Sequence, residues 1–198
     1  KASYVGLYCS GCEAFLTERD LTDAGECANH RRKPEEVREE NWFFRLSAYR
    51  DAIRAHIEAN PDFILPAFRR AEVLRMLDEL ADISVSRSRA SVTWGLPVPG
   101  DAEQVIYVWI DALSNYLTGV GYLSNPERWR RFWLTPDGAP NAVHIVGKDI
   151  LRFHAIYWPA MLLAADIPLP RTIFAHGFIT LNDAKISKSL GNVVSAFD

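Results

Sequence analysis

From about residue 83 onward, short apolar runs alternate with helical stretches, and this alternation limits the possible folds more than any other feature of the chain. The apolar runs are Val105–Ile110, Val143–Val146 and Thr172–Ala175, each bounded by polar or glycine residues as buried strands usually are. Helical segments follow the first two runs at 112–120 and 150–165. Strand and helix in alternation predict an α/β fold in which a parallel sheet carries crossover helices.

Residues suited to chemistry come directly after each of these runs. Asp111 follows the first run, residues 147–149 follow the second, and residues 176–177 follow the third. In an open α/β sheet, ligands bind beyond the carboxyl ends of the strands. The sequence therefore predicts a ligand site at this edge of the sheet.

The preceding part of the chain has a different pattern. Residues 1 to about 40 combine cysteine, glycine and charge with short strand signals, which favours a small β-rich module stapled by a metal. Between 42 and 81, apolar residues recur at intervals of three and four. The breakers Asn60-Pro61 and Pro66 divide this stretch into two predicted helices.

Cysteine and histidine are spaced as in a zinc-binding module. Cys9 and Cys12 form a CxxC pair, Cys27 and His30 form a CxxH pair, and fourteen residues separate the two pairs. Three thiolates and one imidazole fill the four positions around a tetrahedral zinc ion, so the predicted Zn²⁺ is structural and not catalytic. The alternative is that the cysteines are free and His30 is an ordinary surface residue.

The composition excludes several classes of protein. With 198 residues and 48% of them hydrophobic, the chain can bury a core, and a net charge of -3 provides no overall basic field to attract nucleic acid. No apolar run reaches the ~18 residues that a membrane helix requires, and the first residues are not expected to act as a secretory signal because they lack its charged-then-apolar layout. An odd number of cysteines argues against a disulfide framework. We therefore expect a cytoplasmic protein with no membrane partner.

A second motif lies near the end of the chain. Residues 185–192 read Lys-Ile-Ser-Lys-Ser-Leu-Gly-Asn, so two lysines stand three positions apart among hydroxyl residues and a glycine. Such a loop can place cations on a triphosphate and stabilise the charge that develops on the departing pyrophosphate. Taken alone, the motif fits a solvated lysine turn equally well.

The surrounding residues resolve this ambiguity. Residues 185–192 resemble the KMSKS signature of class I aminoacyl-tRNA synthetases, with Ile186 where methionine is usual, and a His-Gly pair upstream also matches. Residues 107–112, 143–150 and 152–160 resemble the methionine-specific blocks of the methionyl-tRNA synthetase family. Residues 49–66 and the CxxC and CxxH pairs are similar to that family's linking region and connective insert. Several motifs in the expected order are more specific than any single one.

The resemblance implies a fold and a division of the chain. Residues 1–82 would be the zinc-knuckle connective insert with its linking helices, and 83–176 the second half of a Rossmann-type class I catalytic domain. Residues 177–198 would hold the lysine loop and the start of the following region. The family's His-Ile-Gly-His motif does not occur in the sequence. We therefore interpret the chain as an internal fragment, and we expect it to form little or no methionyl-adenylate on its own.

The reaction implied by the resemblance has two steps. ATP, with Mg²⁺, activates methionine to methionyl-adenylate, and the methionyl group then passes to the 3' end of tRNA(Met). Catalysis is assigned to Lys188 and Lys185, and ATP binding to these two lysines with Gly147, Asp149, His176 and Gly177. Methionine is assigned to a pocket formed by Trp109, Ala112, Leu113, Tyr116, Ile150, Phe153, His154 and Trp158.

Such a pocket suits a thioether. Aromatic rings give dispersion and sulfur contacts to a polarizable side chain, and His154 and Tyr116 could form hydrogen bonds near the sulfur. Leu113 departs from the proline that some relatives carry. Without the resemblance, aromatic residues at helical spacing would be interpreted as core.

Other interpretations remain. Valyl-, isoleucyl-, leucyl- or cysteinyl-tRNA synthetases would share the lysine loop but not the blocks around Trp109 and Phe153. A non-catalytic zinc-ribbon module that binds nucleic acid is a second alternative, while a metal-dependent hydrolase is disfavoured because four protein ligands close the metal.

Several polar residues also have a structural interpretation. Arg87 matches the family's arginine at the start of the second half of the catalytic domain, and phosphate binding and a structural role are equally good interpretations. His144 is expected to be a satisfied core histidine. The pairs Arg69-Arg70 and Arg130-Arg131 are expected on solvated helix faces.

Overall fold

The computed structural model describes residues 1–11, 14–16, 18–181 and 184–185. Helices and strands are mixed along this part of the chain, which confirms the α/β class. The described residues form two compact units. The first contains Lys1–Phe44 and Asp82–Asp111, and the second contains Arg45–Ala81 and the residues that follow Asp111.

These units do not coincide with the segments predicted from the sequence. The two linking helices fold with the parallel sheet, whereas residues 82–111 fold with the N-terminal strands. The functional division into 1–82, 83–176 and 177–198 stays a prediction.

An antiparallel sheet forms the N-terminal part of the first unit. Its central strand is Ala2–Cys9, which pairs with Ala14–Leu16 on one side and with Glu35–Asn41 on the other. Exposure tends to alternate toward the end of Glu35–Asn41 and reaches zero at Asn41, as expected for a strand with one buried face. A 3-10 turn spans Glu18–Asp20. The β-rich character predicted for residues 1–40 is confirmed.

The rest of the first unit is also antiparallel. Asp101–Ile106 lies between Ser86–Ser88 and Pro97–Val98, and Phe43–Phe44 pairs with Ile83–Ser84. No strand of the parallel sheet comes from this unit within the described residues.

The prediction for the first apolar run is wrong in extent and in pairing. The run Val105–Ile110 is predicted as one strand of the parallel sheet, but the strand ends at Ile106 and a helix begins at Val108. The strand pairs antiparallel with its neighbours. A short apolar run does not distinguish a buried strand from the first turn of a helix. Asp111 consequently lies on a helix and not at the carboxyl end of a strand.

The second unit contains the parallel sheet. Val143–Gly147 pairs with Thr172–His176, and Ile64–Leu65 pairs with the other side of Thr172–His176. The strands predicted at 143–146 and 172–175 are therefore confirmed, each with one further residue. A short antiparallel pair, Thr180–Leu181 with Ala184–Lys185, follows.

Along the chain, helices precede and separate the three strands of this sheet. Those that the structure describes from Leu46 onward are Leu46–Tyr49 (3-10), Arg50–Ala59, Ala67–Asp78, Val108–Val120, Pro126–Trp133, Lys148–Ile150 (3-10), Phe153–Tyr157 (π) and Trp158–Ala164. The two helices predicted between 42 and 81 are confirmed, and their buried residues recur at helical spacing: Ile53, Ile57, Val73 and Leu77, each 0% exposed. Across the described residues, no helix combines the length and the apolar character needed to cross a membrane.

Candidate active site and metal centre

The carboxyl ends of two parallel strands bring four predicted ATP-binding residues to one edge of the sheet. Gly147 ends one strand and is the register partner of His176, which ends the other. Asp149 lies in the 3-10 turn that follows Gly147, and Gly177 directly follows His176. Asp149, His176 and Gly177 are exposed, so their polar groups are open to a ligand. Their role in binding ATP stays a prediction.

A side chain at position 147 would meet a neighbouring carboxylate. A Cβ atom at this position would lie 2.5 Å from Oδ1 of Asp149 and 3.9 Å from Cε1 of His176. A side chain would therefore displace the Asp149 carboxylate from the end of the strand.

Lys148 lies within the predicted ligand edge but was assigned no specific role, and Phe178 beside it was assigned none. Nζ of Lys148 lies 4.3 Å from the ring centroid of Phe178, within the range of a cation–π contact. His176 donates from Nδ1 to the carbonyl of Gly177 over 2.6 Å. The position of Lys148 between Gly147 and Asp149 is the sequence feature that could have identified it as a residue of the site.

Tyr116 and His154 form the polar centre of the predicted methionine pocket. The Tyr116 hydroxyl oxygen lies 2.8 Å from Nε2 of His154, and Nδ1 of His154 lies 2.9 Å from the carbonyl oxygen of Ile150. Because a carbonyl only accepts, Nδ1 carries the proton, and in the neutral ring Nε2 accepts a hydrogen bond from Tyr116. The two bonds fix both the tautomer and the orientation of the imidazole.

Burial keeps this pair uncharged. His154 is 2% exposed, and burial lowers the pKa of its imidazole although the bond to Ile150 raises that pKa. Burial also raises the pKa of the Tyr116 hydroxyl. The arrangement is therefore a polar but uncharged surface, which suits a neutral side chain.

His144 joins the same cluster, although sequence reasoning left it outside the site. Trp158 donates from Nε1 to Nε2 of His144 over 3.2 Å, and the Tyr116 ring centroid lies 4.3 Å from that of His144. Trp133 packs edge-on against both His144 and Trp158, at 6.2 Å in each case. Burial of the ring, and secondarily its electrostatic interaction with the neighbouring His154, lower the pKa of His144 to about 4. The expectation of a satisfied core histidine is confirmed.

The other predicted methionine-binding residues of the second unit differ in exposure. Leu113 and Trp158 are each 1% exposed, so they can support a pocket wall but offer little surface to a ligand. Ile150 and Phe153 are half-buried and Ala112 is exposed. Phe153 and His154 begin a π-helical stretch, a geometry that is frequent at functional sites.

Trp109, the remaining predicted methionine-binding residue, belongs to the first unit. There it lines a cleft of about 490 Å³ together with Tyr107, Asp111 and the 78% exposed Trp94. The resemblance assigned a role to Trp109 but not to Trp94.

Arg87 also lines this cleft, and its contacts favour the structural interpretation. Its guanidinium lies 4.4 Å from the ring centroid of Tyr107, and Nη1 donates to the hydroxyl of Ser84 over 3.0 Å and to the carbonyl of Ser86 over 2.8 Å. The side chain is also buried, with 8% exposure.

Three of the four predicted zinc ligands come together in the first unit. Sγ of Cys9 and Sγ of Cys27 each lie 3.8 Å from Nδ1 of His30, and the three ligand atoms are all within 4.8 Å of one another. Zinc bonds of about 2.3 Å to sulfur and about 2.1 Å to nitrogen at a tetrahedral angle would separate sulfur from nitrogen by about 3.6 Å. The donors present therefore fit zinc. Cys12 lies outside the described residues.

Gly11 is a further residue of this centre that the sequence did not single out. A Cβ atom at position 11 would lie 2.6 Å from Cδ2 of His30, so a side chain there would force the imidazole out of its present position beside the two thiols. The sequence feature that could have identified Gly11 is its position inside the CxxC pair.

The lysine motif is described only at its start. Lys185 ends a short strand, Ala184–Lys185, which pairs with Thr180–Leu181. Lys188 and the residues after it lie outside the described residues. The catalytic roles assigned to both lysines stay predictions.

Fold and site together define a mixed α/β protein with ligand-type residues at the ends of parallel strands and a Cys/His cluster that could hold a metal ion. The family model described as tRNA synthetases class I (M) matches residues 1–198. The chain therefore belongs to the methionyl branch of the class I aminoacyl-tRNA synthetases, as the resemblance in the sequence predicts.

Named relatives agree with this assignment. The chain is 50% identical over 196 residues to methionine--tRNA ligase of Caldanaerobacter subterraneus subsp. tengcongensis, covering 98% of the chain and 29% of the relative. It is 47% identical over 203 residues to the ligase of Rhizobium meliloti, covering 100% of the chain and 38% of the relative. The chain thus spans about three to four tenths of the length of these relatives.

A solved structure with the same fold extends the comparison. Mycobacterium tuberculosis methionyl-tRNA synthetase bound by methionyl-adenylate superposes with a TM-score of 0.82 at 45% identity, covering 98% of this chain and 37% of that chain. At this identity, both the fold and the family are shared.

Proposed function

We propose that the chain forms part of a methionine–tRNA ligase, which activates methionine with ATP to methionyl-adenylate and transfers the methionyl group to the 3' end of tRNA(Met). The observation that carries the proposal is the uncharged hydrogen bond between Tyr116, in the helix Val108–Val120, and His154, in the helical stretch that follows the strand end at Gly147. The relative of known structure, 45% identical, binds methionyl-adenylate.

The polar pair would recognise methionine by its side chain. A thioether is uncharged and polarizable, so it gains dispersion energy against the rings of Tyr116 and Phe153 without a charge to compensate. Because Tyr116 donates its single hydroxyl proton to His154, the hydroxyl has no second proton for the sulfur, and discrimination against branched aliphatic competitors would rest on pocket shape and on sulfur–aromatic contact. Ala112, Leu113, Ile150 and Trp158 would complete the pocket, and the methionine-binding role of Trp109 rests on the family resemblance alone.

The edge of the parallel sheet would receive ATP. Gly147 and Gly177 allow close approach of the nucleotide to the backbone, and Asp149 and His176 offer a carboxylate and an imidazole to the adenosine. Lys185 and Lys188 would place positive charge on the phosphates as pyrophosphate leaves. Mg²⁺ would accompany ATP, bound mainly through phosphate oxygens.

The metal centre would be structural. Cys9, Cys27 and His30 already approach zinc geometry, and Cys12 would supply the fourth ligand. A closed site of this kind stabilises a small β-rich module whose own core is limited. Thiolate ligands also require a reducing compartment, which supports a cytoplasmic location. Cell fractionation followed by detection with a specific antibody would test that location.

Amino-acid-dependent ATP–pyrophosphate exchange tests the proposal in the full-length protein. Methionine, valine, isoleucine, leucine and cysteine are compared, with Lys188→Ala alongside. We expect exchange with methionine alone, and its loss by several orders of magnitude in Lys188→Ala. A preference for another amino acid would move the protein to a different class I enzyme. No exchange from a folded protein would favour the non-catalytic zinc-ribbon alternative.

The 198 residues alone are expected to be inactive in this assay. The relatives that carry the named activity are about three times longer than this chain, since it covers 29% of one and 38% of another. Robust methionine-dependent exchange by the purified 198-residue chain would contradict this expectation.

A further inference from the structure

A short helix of the second unit, Pro126–Trp133, carries an unusual concentration of arginine. Its sequence is PERWRRFW, with three arginines and one glutamate. Asn125 caps its N-terminus by accepting from the backbone N–H of Arg128 over 3.0 Å, and Pro126 occupies the first turn. The helix therefore begins at a fixed point.

Two tryptophans fix the inner side of this helix. Trp133 is 2% exposed and donates from Nε1 to the carbonyl of Pro168 over 2.8 Å. Trp129, one turn earlier, packs edge-on against Tyr122 at 5.2 Å. Because positions 129 and 133 share one face, Arg128, Arg131 and Phe132 are turned away from it.

The outward face is both cationic and aromatic. Arg128, Arg131 and Phe132 are exposed and line a shallow cleft with Asn125 and Glu127. The guanidinium of Arg131 lies 5.7 Å from the ring centroid of Phe132, which is 51% exposed. A guanidinium and an accessible ring therefore stand side by side.

The arginines of the helix Pro126–Trp133 differ in their contacts from other arginines of the second unit. Arg54 pairs with Asp78 and Arg69 with Glu72, each at 2.6 Å. Among the described residues, no carboxylate lies within ion-pair distance of the arginines of Pro126–Trp133. Arg128 and Arg131 are instead three positions apart, where like charges repel. Arg130 and Arg131 are exposed, which confirms their expected position on a solvated face, but hydration alone does not require the arrangement of Arg128 and Arg131.

We propose that Arg128, Arg131 and Phe132 form a contact surface for the RNA substrate, with the arginines on backbone phosphates and the ring against a base or ribose. This inference rests on the proposed function, which supplies tRNA as the partner. Guanidinium groups bind phosphate in a bidentate manner, and exposed aromatic rings stack on unpaired bases. Because the chain has a net charge of -3, attraction of a polyanion has to come from such local patches.

The test compares two double variants of the full-length protein. Arg128→Gln with Arg131→Gln removes two charges from the surface. Arg50→Gln with Arg75→Gln removes two exposed charges from other helices of the same unit and serves as the matched control. Methionine-dependent pyrophosphate exchange, which needs no tRNA, is measured beside the KM for tRNA in aminoacylation over a range of salt concentrations.

We expect exchange to be unchanged in both variants. The KM for tRNA should rise about tenfold in the Arg128/Arg131 variant only, and the slope of log KM against log salt should fall by about 1.5, as expected for two lost phosphate contacts. A tRNA KM and a salt slope equal to those of the control would overturn the inference.

The design separates this inference from the proposed function. If the unmodified protein shows no exchange, the proposed function fails, and fluorescence anisotropy with labelled tRNA decides whether the surface binds RNA. A parallel titration with polyglutamate tests whether the surface binds an acidic protein partner instead of RNA. Loss of polyglutamate binding with unchanged tRNA binding in the Arg128/Arg131 variant would likewise overturn the inference.

Discussion

The hydroxyl of Tyr116 donates its hydrogen to a histidine that is 2% exposed, so the bond has little access to replacement by water. Tyr116→Phe keeps the ring but leaves Nε2 of His154 without this donor. Removing one partner of a buried hydrogen bond costs roughly 1–3 kcal/mol. We expect urea titrations to show a free energy of unfolding lower by about 1–2 kcal/mol, and methionine-dependent exchange to fall with it.

Tyr122→Phe is the matched control, because the described contact of Tyr122 is the edge-on packing of its ring against Trp129, which phenylalanine retains. Equal stability losses in the two variants would show that the Tyr116 hydroxyl contributes nothing specific.

His144 makes the stability of the second unit depend on pH. Its pKa is lowered from 6.5 to about 4 because the ring is buried. As the pH falls below 6.5, the unfolded chain binds a proton that the folded chain does not accept until about pH 4, so stability is lost through this window. A shift of this size corresponds to about 3 kcal/mol. The lowered pKa of His154 acts in the same direction.

Urea titrations at pH 7, 6 and 5 should therefore show a midpoint that falls steadily. His144→Gln keeps an acceptor for Nε1 of Trp158 but does not titrate, so its midpoint should fall less steeply over the same range. Parallel curves for the two proteins would rule out His144 as the origin of the pH dependence.

The residues of the site were predictable to the extent that their chemistry is local in sequence. The CxxC and CxxH pairs carry their spacing with them, and residues 147–149 follow a recognisable strand. The Tyr116–His154 pair is separated by 38 positions and was found only through the family resemblance. His144 was left out of the site because its partners come from other elements, which an apolar strand pattern does not reveal.

At the scale of secondary-structure elements, the parallel sheet has an unusual exposed face. Val143, Ile145 and Phe174 are 42%, 73% and 40% exposed, and Ile145 is the register partner of Phe174. Parallel sheets are normally covered on both faces. We expect the purified 198-residue chain to self-associate through this apolar face, with a weight-average mass that rises with concentration in analytical ultracentrifugation.

Replacing the exposed pair tests this expectation. Ile145→Glu with Phe174→Lys places opposite charges side by side across the two strands and should keep the chain monomeric. Phe68→Lys with Leu123→Glu alters two residues that are 63% and 87% exposed elsewhere in the unit, and this control should still associate. Association of all three proteins to the same degree would exclude the sheet face.

The secondary-structure elements were predictable where the apolar residues of a segment follow a single periodicity. Helices Arg50–Ala59 and Ala67–Asp78 show clear helical spacing between strong breakers, and the strands at 143–147 and 172–176 are bounded apolar runs. The run at 105–110 was misassigned because it contains the end of a strand and the start of a helix. Ile64–Leu65 was missed because two residues before a proline give no periodicity, although tertiary pairing makes them a strand.

At the scale of the whole molecule, the two units are stabilised differently. The second has a core of residues with 0% exposure drawn from two helices and the parallel sheet, including Ile57, Leu77 and Ile173. The N-terminal strands of the first unit form a small antiparallel sheet, and Cys9 in this sheet and Cys27 in a following loop are both buried. Small modules of this kind commonly depend on a metal for their stability.

Removal of zinc should therefore affect the units unequally. In hydrogen exchange with a strong chelator, amides of Ala2–Cys9 and Glu35–Asn41 should lose protection by at least tenfold, because metal-binding energy contributes directly to folding. Amides of Val143–Gly147 and Thr172–His176 should keep their protection. Equal loss in both sets of strands would show that the metal stabilises the chain as a whole, and no loss in either would argue against a structural metal.

The variant Gly11→Ala tests whether the loss of amide protection depends on the geometry of the Cys9, Cys27 and His30 cluster. The added Cβ would meet the His30 ring at 2.6 Å, so the imidazole has to move and one ligand is weakened. We expect a lower zinc content by atomic emission, and protection of Ala2–Cys9 reduced even without chelator. Gly119→Ala is the control, since nothing lies within 4 Å of the added atom. Wild-type zinc content and exchange in Gly11→Ala would argue against His30 as a zinc ligand, since the atoms closest to the added Cβ among the described residues belong to the His30 ring.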